Sequence, residues 1–301
     1  MPPTETITER AIGVFDSGIG GLSVLQALRA EMPQERFIYW SDSAFAPYGE
    51  RSDAFVIERS HDITEQLIAK GKVKCVVVAC NTATAVAIES LRQQYPQLPF
   101  VGVEPALKPA IGITHTGRVG VIGTHGTLQS ARFQKLLSTV QQEASPKACE
   151  FVVQACKGLA LAIEQQTEKA QTDVHEVEHL CQQYLHAMGS FGKGPGEIDS
   201  LVLGCTHYVF AQDILRRLVG PDVHLISTGE AVAKQTQRLC ATATNSRSAQ
   251  TTEFKQAADA IQLWTTGSLR ALAHAAERWL QLPPECCHRV EGTASTIGPS
   301  L

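Results

Sequence analysis

Ala11-Ile12-Gly13-Val14-Phe15-Asp16-Ser17-Gly18-Ile19-Gly20-Gly21-Leu22 decides the fold class. Its first five residues are apolar or small and read as a buried strand, and residues 16–21 form a turn of small side chains. Leu22, Leu25 and Leu28 then recur at threefold spacing, so a helix begins near Gly21 and stops before Pro33. Strand, loop and helix in that order form the repeating unit of a parallel sheet covered on both faces by helices.

The unit repeats outward along the chain. A strand over 37–40 leads through Pro47-Tyr48-Gly49 to a helix over 52–70 that Gly71 ends, followed by a strand over 74–79 and a helix over 82–94. Short apolar runs predict further strands at 100–103, 119–122, 151–153, 200–203, 223–227 and 261–265. A helix over 173–188 places Val174, Val177, Cys181, Tyr184 and Met188 on one stripe. The polar stretch 241–252 reads as an exposed loop, and 292–301 as a loose tail.

Composition narrows the classes of function. The 301 residues are 44% hydrophobic and 19% charged, enough for one large core or two modest ones, which excludes a disordered or fibrous chain. Net charge is −4 and the basic residues are scattered, so nucleic acid is not an expected partner. The longest apolar runs, such as 76–80, fall far short of the roughly 20 residues of a membrane span. Residues 1–10 are polar with no apolar stretch behind them, and the nine cysteines are odd in number and dispersed. Both features predict a cytoplasmic protein with reduced thiols.

Two stretches echo each other. Val76-Val77-Val78-Ala79-Cys80-Asn81-Thr82 and Leu201-Val202-Leu203-Gly204-Cys205-Thr206-His207 each set a cysteine after a buried strand, then hydroxyl or amide side chains, then a helix. Ligands of open parallel sheets sit at strand C-terminal ends, where a helix N-terminus also stabilises a thiolate or a carboxylate. One such cysteine alone reads as a small buried hydrophobe. A pair suits a reaction that removes a proton from one face of a tetrahedral carbon and returns it on the other, since a thiol serves as acid or base.

The chain resembles the glutamate racemases through Asp16-Ser17-Gly18-Ile19-Gly20-Gly21-Leu22, Pro47-Tyr48-Gly49, Ala79-Cys80-Asn81-Thr82-Ala83, Gly102-Val103-Glu104-Pro105, Gly123-Thr124-His125-Gly126-Thr127 and Gly204-Cys205-Thr206-His207-Tyr208, in that order. The resemblance implies an α/β fold of two similar domains, each a mostly parallel sheet flanked by helices, with the active site in the cleft between them. The first domain would comprise residues 8–104 plus 212–291, the second 105–211, and 292–301 would form the tail. The implied activity is cofactor-independent, metal-free interconversion of L- and D-glutamate, supplying D-glutamate for peptidoglycan synthesis.

By that resemblance Cys205 takes the α-proton of L-glutamate and Cys80 that of D-glutamate, with Asp16 assisting Cys80 and His207 assisting Cys205. Glu164 would support the His207 side, although the run from Cys156 to Glu164 lacks the prolines usual in the family. Ser17, Pro47, Tyr48, Gly49, Asn81, Thr82, Thr124, Thr127 and Thr206 would bind substrate. These are mostly short hydroxyl and amide groups with Gly-rich turns, able to hold two carboxylates and an ammonium without an arginine. Val209 replaces a common proline beside the second cysteine. A homodimer is the default assembly.

Other readings compete. His175-Glu176-Val177-Glu178-His179 matches a zinc-hydrolase motif, but both histidines fall opposite the apolar stripe of their helix, the pattern of a solvated face. Gly18-Ile19-Gly20-Gly21 with Asp42 further on suggests a dinucleotide site; Ser23 replaces the third glycine and Asp16 would repel a pyrophosphate. A cleft could also capture a ligand without chemistry, and the substrate could be aspartate or another amino acid. Cys286-Cys287-His288 has no second cysteine pair at ligand spacing and reads as structural.

Overall fold

The computed structural model describes residues 10–143, 149–168, 175–243 and 260–291. Among the described residues ten strands form two sheets, and every named pairing is parallel. The first sheet contains β1 (Ile12–Asp16), β2 (Phe37–Ser41), β3 (Cys75–Val78), β4 (Phe100–Gly102), β9 (Ile261–Thr265) and β10 (Cys287–Arg289), in the order β10-β9-β2-β1-β3-β4. The second contains β5 (Arg118–Gly123), β6 (Glu150–Ala155), β7 (Ser200–Gly204) and β8 (His224–Ile226), in the order β6-β5-β7-β8.

Helices cover both faces of the first sheet. On one side α1 (Leu22–Glu31), α10 (Gly229–Ala243) and α11 (Leu269–Leu280) close a core around Val14, Leu25, Val77 and Leu263. On the other, α2 (Asp53–Ala69) and α3 (Asn81–Gln94) pack Ile63, Leu67, Ala87 and Leu91 against Phe15, Val76 and Val78. Burial from both sides explains why β1, β2 and β3 read as unbroken apolar runs instead of alternating ones. Ser52 Oγ accepts the Phe55 amide at 3.3 Å and starts α2 one residue after its cap.

The second sheet is built the same way. One face carries α7 (Leu159–Glu168), α8 (His175–Met188) and α9 (Gln212–Val219); the other carries α4 (Leu107–Ile113) and α6 (Ala131–Glu143), while the short α5 (His125–Gln129) follows β5. In α8 the buried stripe is Val177, Cys181, Leu185 and Met188. Tyr184 sits at its edge, its hydroxyl donating to the Lys157 carbonyl at 2.7 Å, and Val174 lies outside the described residues.

The expected division at residue 211/212 moves. β8 pairs in parallel with β7, and Ile214, Leu215 and Val219 of α9 pack on Leu201 and Leu203, so residues 212–226 belong with the second sheet. The chain crosses back only with α10. The cause is the connection rule: a strand added parallel to β7 needs a helical crossover, and α9 is that crossover. α10 also absorbs residues 241–243 of the expected loop; the rest of it, and the tail at 292–301, lie outside the described residues. Cys287 and His288, read as structural, lie in the edge strand β10.

Candidate active site

Each sheet has one place where the chain reverses its direction of winding. In the first sheet β2 lies on one side of β1 and β3 on the other; in the second, β6 and β7 flank β5 in the same manner. Such switch points open a crevice at the strand C-terminal ends. Asp16 ends β1, Cys80 follows β3, Thr124 follows β5 and Cys205 follows β7, so the two crevices each contribute a thiol and a polar partner. They face one another and enclose a single cavity lined by Asp16, Ser17, Pro47, Tyr48, Gly49, Cys80, Asn81, Thr82, Thr124, Glu164, Cys205, Thr206 and His207. Thr127 stands behind this wall, its hydroxyl 2.9 Å from that of Thr124 and 3.3 Å from that of Thr82.

The two thiols have unlike surroundings. Cys205 Sγ lies 3.8 Å from His207 Nδ1, and His207 Nε2 lies 2.7 Å from Glu164 Oε2, a buried cysteine–histidine–carboxylate relay. Burial alone would lower the His207 pKa, but its hydrogen bonds to Cys205 and Glu164 and the charges there carry it well above the ordinary histidine value. Cys80 caps α3, its sulfur accepting the Ala83 amide at 3.5 Å, and donates to Ser17 Oγ at 3.9 Å. Burial and the neighbouring Asp16 charge push the Cys80 thiol well above the ordinary cysteine range. Asp16 is itself raised by burial, against the lowering effect of His207 and of the Ser17 amide that donates to it at 2.7 Å.

The units meet through the residues that form the site. Thr206 Oγ1 donates to Asp16 Oδ2 at 3.1 Å, the Ile19 amide donates to Glu164 Oε2 at 2.9 Å, and the hydroxyls of Thr82 and Thr124 are 3.0 Å apart. The Gly18–Gly20 loop makes this closeness possible. A Cβ on Gly18 would collide with the Glu164 carboxylate, and one on Gly20 with the His207 ring and Thr206 Oγ1. Asn81 Nδ2 is buried without a hydrogen-bond partner, a donor aimed at no protein group. The cavity can therefore hold a small anionic molecule between one thiol that has a basic relay and one that is a neutral acid.

The rival motifs are placed elsewhere or filled. His175 and His179 are exposed on α8, far in sequence from the strand ends that form the cavity, and among the described residues no group of three or more His, Cys, Asp or Glu side chains is arranged for a metal ion. The Gly18–Gly21 loop packs against Glu164, His207 and Thr206, so a pyrophosphate there would meet two carboxylates, Asp16 and Glu164. Ala160 and Leu161 also line the cavity, from the proline-free start of α7, and were not anticipated because their side chains carry no chemistry. Asp42 and Arg59 form a buried ion pair beneath the Pro47–Gly49 loop. Its signal in sequence was an arginine at a position of α2 otherwise spaced for the core, between Val56 and Ile63.

Two parallel-sheet units joined at their switch points, with a thiol from each on one polar cavity, define a two-domain cleft enzyme equipped for proton transfer. Residues 22–236 match the family model of the Asp/Glu/hydantoin racemases. The chain is 45% identical to the glutamate racemase of Ectopseudomonas mendocina over 232 residues, 77% of this chain and 82% of that protein. Among solved structures, a glutamate racemase isoform from Bacillus anthracis superposes with a TM-score of 0.76 at 31% identity, covering 94% of this chain and 98% of that one. The Escherichia coli glutamate racemase, solved with L-glutamate, gives 0.75 at 26% identity over the same shares. The chain belongs to the Asp/Glu/hydantoin racemase family and is an isomerase. No helix among the described residues is long and apolar enough to cross a membrane.

Proposed function

We propose that this protein interconverts L- and D-glutamate by two-base proton transfer between Cys205 and Cys80, without a cofactor, and that it supplies D-glutamate for peptidoglycan in the cytoplasm as a homodimer. The observation that carries the chemistry is the placement of two cysteines at equivalent switch points on one cavity, one with the His207–Glu164 relay and one as a buried thiol. The substrate follows from the likeness to glutamate racemases at 41–45% identity, and the cell-wall role from the same resemblance.

With L-glutamate bound, the Cα–H bond breaks and its proton passes to Cys205 Sγ, while the electron pair stays on Cα and spreads into the α-carboxylate. His207, held by Glu164, offsets the thiolate charge before transfer. The carbanion then takes the Cys80 proton on its opposite face, leaving Cys80 as the thiolate and Cys205 as the thiol. The D to L direction runs through the same steps reversed. Asn81 Nδ2, the Thr82 hydroxyl and the N-terminus of the 14-residue α3 supply donors for the charge that develops on the carboxylate.

The test is incubation of the reduced protein with L-glutamate, D-glutamate, aspartate and alanine in deuterated water, following the α-proton by NMR and enantiomer content by circular dichroism. Glutamate racemisation with α-deuterium uptake is expected. Exchange with aspartate alone would move the substrate and keep the mechanism; no exchange with any of them, in folded protein, would leave a ligand-binding cleft.

A further inference from the structure

We infer that Arg59 is a positioning residue for this reaction: through Asp42 it holds the loop that brings Pro47, Tyr48 and Gly49 to the cavity. The inference rests on the racemase reading above. Arg59 does not line the cavity, yet it is only 1% exposed in the middle of α2. Its fork grips both oxygens of the fully buried Asp42, Nε to Oδ2 at 2.9 Å and Nη2 to Oδ1 at 2.8 Å. Nη1 reaches Asp62 Oδ2 at 3.2 Å, and the guanidinium lies 3.9 Å from the centre of the Phe45 ring. Lysine has no such fork and could not reproduce this geometry.

Asp42 spends its remaining acceptor capacity on the loop and on the sheet. The Tyr48 hydroxyl donates to Oδ2 at 2.5 Å, and Thr266 Oγ1 donates to Oδ1 at 3.1 Å. Thr266 Oγ1 in turn accepts the Ala44 amide at 3.2 Å, and Ser43 Oγ lies 3.0 Å from Thr265 Oγ1. The ends of β2 and β9, the middle of α2 and the 43–50 loop thus converge on one carboxylate. With its hydroxyl held there and its ring packed edge-on against Phe55 in the core, Tyr48 fixes the loop where it lines the cavity, and Gly49 comes so close to Thr124 that an added Cβ would lie 2.7 Å from the Thr124 Cβ. The loop closes the first unit against Thr124, the cap of α5 in the second. If it loosens, the wall that substrate meets in its ground state and its transition state alike is lost, which raises KM more than it lowers kcat.

The test compares Arg59→Met, Arg59→Lys and the double variant Asp42→Leu/Arg59→Met with wild type. The measurements are KM and kcat for both glutamates, thermal midpoint, and amide hydrogen exchange across residues 43–50. Arg59→Met leaves a buried carboxylate unpaired, so it loses stability. The double variant removes that charge and regains much of the midpoint, but KM stays raised by roughly tenfold, about one hydrogen bond's worth, and the loop amides exchange faster. Arg59→Lys falls between wild type and Arg59→Met in KM. Wild-type KM and loop protection in the double variant would show that the pair serves only stability and would overturn the inference. Failure of wild type to racemise glutamate would instead strike the functional reading itself.

Discussion

Replacing Glu164 by Gln tests the relay with the least disturbance of shape. Glu164 Oε2 accepts from His207 Nε2 at 2.7 Å and from the Ile19 amide at 2.9 Å. A glutamine oxygen in the same place keeps both bonds and removes only the charge. A hydrogen bond to an ionised group is roughly twice as strong as a neutral one, so the change costs the protonated imidazole about 1–2 kcal/mol. The His207 pKa therefore drops. The same free energy, lost where Cys205 must carry negative charge, lowers kcat/KM by roughly 5- to 30-fold.

The sign of the pH dependence follows from the direction of the shift. His207 is raised above the ordinary histidine value in the folded protein, so the stabilisation from its protonated form is complete below the ordinary value near 6.5 and is lost as pH rises through the higher folded value. In Glu164→Gln that loss starts at lower pH, and the alkaline limb of the kcat/KM profile moves acidward. The assay is circular dichroism of glutamate at a series of pH values, starting separately from each enantiomer. An unshifted limb with an undiminished rate would refute the relay.

Cys80→Ala and Cys205→Ala each abolish racemisation while the far-ultraviolet circular dichroism stays that of wild type; full activity in either removes the two-base assignment. Asp16→Asn raises the thermal midpoint at neutral pH and slows turnover. Burial lifts the Asp16 pKa, so its ionised form opposes folding as pH rises through the folded value, and an amide is spared that cost; a lower midpoint at neutral pH counts against this. Gly20→Ala forces a methyl into His207 and Thr206, and KM for glutamate rises by at least tenfold as the closed cleft is pried apart, with about 1–3 kcal/mol of overpacking. An unchanged KM would show that the closure is dispensable.

The parallel α/β class was legible because strands buried on both faces cannot alternate, and β1, β3 and β7 therefore stand out as continuous apolar runs. The two cysteines were legible for a related reason: a strand that ends at a switch point delivers its next residue to the crevice. The change of unit at 226 instead of 211 was not legible, because α9 and β8 look the same in sequence whichever sheet they join; only pairing with β7 decides it. β10 is a three-residue edge strand whose sequence, Cys-His-Arg, carries no apolar run. The Asp42–Arg59 pair escaped because its partners come from four separate segments, and no spacing rule connects residues 42, 48, 59 and 266. Cys80 and Cys205 each come within two residues of a strand end; a network needs the fold before its members can be matched.

Unlike surroundings for the two thiols raise a constraint that the mechanism must meet. The enantiomers have equal free energy in water, so kcat/KM must be the same in both directions, for wild type and for every variant. The His207–Glu164 relay therefore cannot make the enzyme faster toward one enantiomer overall. What it can do is set which free-enzyme form predominates between turnovers. With Cys80 pushed well above the ordinary thiol range, the form that keeps the Cys80 proton is favoured, which in the proposed mechanism is the form that accepts L-glutamate. The D-glutamate form must then be reached either through product release or by proton exchange between the thiols and water. Asp16, hydrogen-bonded to Ser17 and within the charge environment of both Cys80 and His207, is the group placed to carry that exchange on the Cys80 side. Its substitution should consequently depress turnover at saturating D-glutamate more than at saturating L-glutamate, with KM falling in step so that the ratio of kcat to KM stays equal for the two.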